Sequence, residues 1–301
     1  MSRILLRIGR DLLLVPISAV LVYLLVVNLP FRQDSDRKIA TSENDAIALR
    51  AQVLGSGKVW DAFVPWQRLL AGESVGLAGQ PFTANDLARA AGLSGLLGLL
   101  ALGLALAWAL VLAVGRVTLA NRRVGVLLEV IPGLVFGSPL FLLAVVAALL
   151  AIALGVPFTG SHLIAAVVMA LGPGTFLGVV WSDALRTEAA RPYFLAALAR
   201  GCSRRRALMV HALPNALPAL LDAAAPVASS LLLGSFVAEN FFQLKGFGLV
   251  YVNAARSVDP GVVVVATTLF ASVLILVSLV VELIRVLVDP KARDAAKEGR
   301  A

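Results

Sequence analysis

Apolar residues fill this chain in long blocks that hold few charges, separated by polar intervals. About 20 helical residues cross a bilayer core roughly 30 Å thick. Six blocks reach that length: residues 4–29, 90–114, 130–154, 162–181, 217–238 and 261–287. The pattern predicts an all-α membrane protein of six transmembrane helices. Residues 130–182 carry no charge at all, too long a run for one helix, and Gly155-Val156-Pro157 with Gly160-Ser161 supplies a break. Arg3, Arg7 and Arg10 lead into the first block as in a signal peptide. Its apolar stretch, 12–29, is nevertheless longer than a secretory core and no small-residue cleavage site follows, so a retained anchor is expected. The organisation is then a first transmembrane helix (1–29), an extracytoplasmic loop (30–89), a five-helix core (90–288) and a tail (289–301).

Composition agrees: 59% of the 301 residues are hydrophobic and 15% charged, against about 25% charged in a soluble domain. The net charge of +8 does not point to nucleic acid, because the basic residues gather at the ends of the blocks. With both termini cytoplasmic, the inner side holds nearly twice as many Lys and Arg as the outer, as the positive-inside rule requires. That orientation puts residues 183–216, between helices four and five, in the cytoplasm. A single cysteine, Cys202, excludes an internal disulfide, and His162 and His211 are too far apart for metal-ligand spacing. No cofactor or metal is expected in the chain. Gly55-Ser56-Gly57-Lys58 lacks the Ser/Thr and the first glycine of a phosphate loop.

Other features leave alternatives open. The outer loop, with Trp60, Phe63 and Trp66, either packs over the helix ends or docks an extracytoplasmic partner. Gly92, Gly95, Gly98 and Gly103 would let a neighbouring helix approach closely on their side of the second block. Asp222 lies inside the fifth block, where a buried carboxylate is costly and marks either a pathway or an arginine partner. Glu239, at the outer end of that helix, is a gate residue or an interfacial acid. Glu282 and Arg285 have the spacing of a local pair. Pro132, Pro139, Pro173 and Pro226 bend their helices, opening a cavity or fitting neighbours.

The cytoplasmic segment 192–214 is the most specific feature. Pro192 suits a first helical turn, Gly201 suits the left-handed residue that ends a helix, and Ser203 can cap a second helix through residues 204–213. Pro214 and Pro218 mark the turn into the fifth block. The prediction is a helix, a glycine corner and a second helix, with Arg200, Arg204, Arg205 and Arg206 adding positive potential. By itself this serves a protein partner or anionic lipid headgroups equally well.

The spacing Ala196-Ala197, three residues, Gly201, nine residues, then His211-x-Leu213-Pro214 resembles the EAA loop of ABC importer permeases, with Leu195 in place of the acid and His211 in place of isoleucine. Tyr193, Ala199-Arg200-Gly201 and His211-Ala212-Leu213-Pro214-Asn215-Ala216-Leu217-Pro218 resemble the dipeptide/oligopeptide/nickel branch. Glu239-Asn240-Phe241-Phe242, Gly246-Phe247-Gly248, Asp259-Pro260 and Asp289-Pro290-Lys291-Ala292-Arg293 resemble its C-terminal third. Glu188-Ala189-Ala190 is a decoy, because Phe194 follows where the glycine should stand. Near the N-terminus, Leu29-Pro30-Phe31-Arg32 replaces the family's Gly-Asp-Pro.

The resemblance implies a permease subunit of a bacterial inner-membrane importer. Peptides are the family's commonest cargo, nickel chelates and other small solutes the alternatives. It implies a second, related permease, two cytosolic ATPases carrying ATP and Mg, and an extracytoplasmic substrate-binding protein, in contact with membrane lipid. Tyr193, Ala196, Ala197, Arg200, Gly201, Arg204, Arg205, His211, Leu213 and Pro214 would form the coupling surface, with Asp222 and Glu239 as pathway or gate candidates. The rival class is a secondary transporter or channel working alone.

Overall fold

The computed structural model describes residues 2–28, 58–75, 81–119, 122–256 and 259–288, and every element among them is helical. In chain order these are α1 (Ser2–Asn28), a 3₁₀ turn (Val59–Phe63), α2 (Val64–Leu70), α3 (Ala84–Thr118), α4 (Arg122–Gly137), α5 (Leu140–Ala153) and α6 (His162–Ala189). Next come α7 (Pro192–Ala199), α8 (Arg204–Ala207), a π turn (Leu208–Ala212), α9 (Leu213–Asn215), α10 (Leu217–Phe242), α11 (Phe247–Arg256) and α12 (Pro260–Val288). The six apolar blocks correspond to α1, α3, α4 with α5, α6, α10 and α12. Among the described residues three helices are long and apolar enough to cross a membrane, and the number rises to six if each of three bent helix pairs counts as one span; α1 is not among these, its described apolar part being the shorter Leu13–Leu25. The Gly55–Gly57 stretch, Leu29–Arg32 and Asp289–Arg293 lie outside the described residues, as does the Arg285 side chain.

The chain divides into two compact units. One comprises Met1–Gly95 and Lys245–Leu276. Within it, Tyr23 of α1, Ala62 of the 3₁₀ turn and Val264 of α12 are fully buried together, with Val20, Phe63 and Val263 packed around them. The described part of the outer loop therefore packs on the helices, while Trp60 stays 79% exposed. Asp61 Oδ2 accepts the Lys58 N–H at 3.0 Å. Thr83 caps α3: its Oγ1 donates to Asp86 Oδ2 at 2.6 Å and its N–H donates to the same oxygen at 3.1 Å. At α12, Asp259 Oδ1 accepts the Val262 N–H at 3.1 Å, satisfying a first-turn donor just after Pro260. Asp259-Pro260, a family-like pair in the sequence, thus works here as a helix start.

The second unit comprises Leu96–Leu244 and Val277–Ala301. Its most extensive described helix contact is α6 with α10. Against α6 also lies the face of α3 that carries Ala101, Ala105, Ala109 and Ala113, all buried. The approach is close: a Cβ at Gly174 would lie 2.7 Å from the Ala105 carbonyl oxygen, and one at Gly178 would lie 2.8 Å from Leu112 Cβ. Trp108 Nε1 donates to Thr175 Oγ1 at 2.9 Å across the same seam. Small residues four apart let two backbones meet, and van der Waals contact, not hydrophobic expulsion, holds such a pair in lipid. The glycines expected to make this contact do not: a Cβ at Gly92, Gly95, Gly98 or Gly103 would meet nothing within 4 Å. The alanine stripe displaces them because the contact needs its small residues aligned at four-residue spacing, opposite another small-residue stripe.

The third block also departs from expectation. Residues 130–154 do not form one helix; α4 and α5 meet at Ser138-Pro139 with a bend of 108°. Pro139 has no N–H and sits in extended conformation (φ −60°, ψ 143°) just before α5. Ser138 Oγ turns back to donate to the Leu134 carbonyl at 2.7 Å. The next break falls where the sequence put it, with Gly155 at φ +68° and Gly160 at φ +75°. Ser161 Oγ then caps α6 by accepting the Ile164 N–H at 3.3 Å. Pro173 and Pro226 remain inside α6 and α10.

Candidate functional site

The segment from Pro192 to Asn215 folds as its turn chemistry demands. Arg191 is extended ahead of Pro192 (φ −71°, ψ 149°), and α7 closes in a Schellman turn. The Cys202 N–H donates to the Ala197 carbonyl at 3.1 Å and the Gly201 N–H to the Leu198 carbonyl at 2.9 Å. Gly201 takes φ +86°, in the left-handed region. Ser203 Oγ accepts the Arg206 N–H at 3.4 Å, starting α8. The continuation to Asn215 is not uniform: the π turn at Leu208–Ala212 widens the helix just before Pro214. Such wide turns are rare and concentrate at functional positions.

Two faces result. Phe194 is 2% exposed, and Ala207, Leu208, Ala212 and Ala216 are buried with it in the core that holds Leu185 and Leu220. The opposite face carries Tyr193, Leu195, Ala196, Met209 and Val210, with Arg200, Gly201, Arg204, Arg205, Arg206, His211 and Pro214 also exposed. Ala197 and Leu213 are half-buried between the faces. Ten sequence-selected residues thus fall on one continuous segment, most of them outward. An apolar surface interleaved with cations, held on a buried base, can dock a partner that is apolar and acidic in turn.

The sequence reading passed over the group that sets the segment's angle. Tyr193 donates its hydroxyl to Glu188 Oε2 at 2.7 Å, and Arg191 Nε lies 3.8 Å from Glu188 Oε1. Asn215 Nδ2 donates to the His211 carbonyl at 2.7 Å and to the Tyr193 hydroxyl at 3.5 Å. Glu188 and Asn215 therefore join the end of α6, the start of α7 and the end of α9 through one tyrosine. Glu188 was set aside as out of register with the loop motif; its five-residue offset from Tyr193, across the Arg191-Pro192 corner, was the usable signal. Partial burial, then the hydrogen bond to the Glu188 carboxylate and its charge, raise the Tyr193 phenol above its ordinary value of 10.0. The shift favours the neutral phenol in the fold. Its contribution is complete below pH 10 and is lost as pH rises through the higher folded value. The difference in 295 nm absorbance between wild type and Tyr193→Phe is expected to show Tyr193 titrating above pH 10, and Glu188→Gln to bring that midpoint down.

A cavity of about 350 Å³ lies in the second unit, where α6 and α10 face the α4–α5 break. Pro173 and Pro226 line it, so the bends left open by the sequence border a cavity. No ionisable side chain lines it. Phe136 and Phe176 stack at its edge, with ring centroids 5.5 Å apart and planes 20° from parallel.

The two pathway candidates separate. Glu239 is 0% exposed, in register on α10 with buried Ser235, Ala238 and Phe242. The Leu244 N–H donates to the Glu239 carbonyl at 2.9 Å, and Gln243 at φ 55° closes the helix. Asp222 is exposed on the surface of this chain. The buried stripe of α10 runs through Leu220, Ala223, Val227 and Leu231, and Asp222 lies off it.

Comparison with known proteins bears on this geometry. Residues 98–294 match the family described as binding-protein-dependent transport system inner membrane component. The chain is 34% identical over 101 residues to the dipeptide transport system permease protein DppB of Lactococcus lactis subsp. cremoris, covering 34% of this chain and 33% of that protein. It is 32% identical over 120 residues to the oligopeptide transport system permease protein OppB of Haemophilus influenzae, covering 40% and 36%. With DppB of Escherichia coli K12 the figures are 31% over 128 residues, covering 42% and 35%. These matches span about a third of each relative's own length. The family model takes in about two thirds of the chain, including the bent segment, the cavity and both carboxylates, and agrees with the likeness legible at Ala196–Pro214. This chain belongs to the binding-protein-dependent transport system inner membrane components, the permease subunits of ABC transporters.

Proposed function

We propose that the chain is the multi-pass inner-membrane permease of an ATP-driven importer, giving alternating access to peptides. The observation that carries this reading is the two-faced segment Pro192–Asn215. Its buried face is continuous with the helical core, and its outer face is a partner surface. Two cytosolic ATPases, with ATP and Mg, grip such segments, one on this outer face and one on a second permease. That second permease completes the pathway, and an extracytoplasmic binding protein delivers cargo. Six spans with both termini cytoplasmic put the arginines of the segment on the ATPase side. ATPase closure moves α7 and α8, and the core follows because the inner face has no slack. The chain performs no bond chemistry itself; hydrolysis takes place on the partners. Peptide cargo is supported by the relatives, which are dipeptide and oligopeptide permeases.

Purified complex in proteoliposomes is expected to take up dipeptide only with ATP and with the ATPases present. Removing the ATPases is expected to cut uptake to the level of empty liposomes. Uptake by the chain alone, down a gradient and without nucleotide, would instead identify a stand-alone transporter.

A further inference from the structure

We propose that the cavity between α6, α10 and the α4–α5 break is a side-chain subsite for the transported peptide, selecting aromatic and large aliphatic residues. The inference rests on the peptide-import reading above.

The lining decides the chemistry. It holds no charge, so a peptide's ammonium or carboxylate gains nothing there. Its two hydroxyl hydrogens are already committed: Ser138 Oγ donates to the Leu134 carbonyl at 2.7 Å and Ser230 Oγ to the Val227 carbonyl at 2.8 Å, leaving only weak acceptors toward the cavity. What remains is an apolar wall with the Phe136–Phe176 stack on one side and Met169 on another. Rings and thioether sulfur favour aromatic partners beyond the area they bury. A volume of about 350 Å³ accommodates one large side chain with room for its backbone at the mouth.

The surroundings favour cargo over an acyl chain. Lipid tails need only smooth apolar helix surface, which exposed Leu149, Leu150 and Ile152 of α5 already offer. Prolines and a broken helix are tolerated at membrane depth where they lie within protein or border a cavity. Pro173, Pro226 and the break at Pro139 all meet here. Gly172 is the point of control. It lines the cavity, and a Cβ built on it meets nothing within 4 Å, so a side chain can start there unobstructed and take up cavity space as it grows.

The experiment uses the complete complex with its binding protein in proteoliposomes, comparing ATP-driven uptake of Phe-Phe and Ala-Ala. Binding-protein preference is common to all variants, so it cancels when each variant's uptake ratio is divided by wild type's. Gly172→Phe is expected to lower the Phe-Phe to Ala-Ala ratio at least tenfold, and Gly172→Ala to shift it less than threefold. If Gly172→Phe fails to accumulate in the membrane, Gly172→Leu is read instead, with the same direction expected. A ratio within twofold of wild type in the large variants overturns the subsite. That holds whether both rates persist or fall together, as they would if the cavity held an acyl chain. Wild-type complex that moves neither peptide, despite active ATPases, overturns the import reading beneath it.

Discussion

Gly174→Leu is expected to abolish the folded second unit, read as loss of a cooperative thermal transition and of the monodisperse peak in detergent. The added Cβ would lie 2.7 Å from the Ala105 carbonyl oxygen and 2.9 Å from its Cα. Both are backbone atoms of a helix and cannot rotate aside. Overpacking a dense core costs about 1–3 kcal/mol when flexible side chains can yield. Here the helices themselves must part, breaking the Trp108–Thr175 hydrogen bond and the contact at Gly178. Even Gly174→Ala is expected to lower the melting temperature measurably. Gly103→Ala is the control. It lies on the same α3, meets open space, and replaces a poor helix former, so a neutral or slightly raised melting temperature is expected. Equal stability of Gly174→Leu and wild type would show that the seam between α3 and α6 is not packed as described.

Gly201→Glu is expected to eliminate peptide uptake and co-purification of the ATPases while the chain still inserts in the membrane. Space is not the obstacle, because a Cβ at Gly201 meets nothing within 4 Å. The backbone is: φ +86° is left-handed, and a side chain there costs about 1–3 kcal/mol. Relaxing it breaks the Schellman turn and swings α8 relative to α7. Glutamate also places a negative charge among exposed Arg200, Arg204, Arg205 and Arg206. Gly201→Asn separates the two causes, since asparagine tolerates left-handed backbone. Partial uptake in Gly201→Asn, with none in Gly201→Ala, would locate the defect in the corner's geometry. Wild-type uptake and ATPase recovery in Gly201→Glu would remove the segment from the transport mechanism.

What the sequence disclosed follows the range of the forces involved. Block length against bilayer thickness is a one-dimensional property, so all six apolar blocks fall on helical segments, the third split in two at Ser138-Pro139. Turn chemistry is local too: Gly201, Ser203 and the Gly155–Ser161 break are where their residue types demand. Facing relationships were not readable. Glycine content drew attention to Gly92, Gly95, Gly98 and Gly103, yet the close contact uses alanines of α3 against Gly174 and Gly178, because two stripes must match across separate helices. Sequence places Asp222 deep in its block, but which side of α10 it occupies depends on where α6 lies. Pro139 was known to bend its helix; that the bend reaches 108° required the neighbours. Glu188 was judged by motif register, whereas its role comes from a corner that brings Tyr193 back to it.

The turn before α6 is tied to the far end of α10 by the Gly160 N–H, which donates to the Phe242 carbonyl at 2.7 Å. At the opposite end Glu188 of α6 is linked through Tyr193 to Asn215 of α9, which leads directly into α10. Fastened top and bottom, α6 and α10 form a frame whose uprights cannot spread. Two sides of the cavity belong to that frame, and the third joins it through the bend at Ser138-Pro139, where a change of aperture is expected. Leu140→Cys with Gly234→Cys, which face each other at that edge, would fasten this third side to the α10 upright.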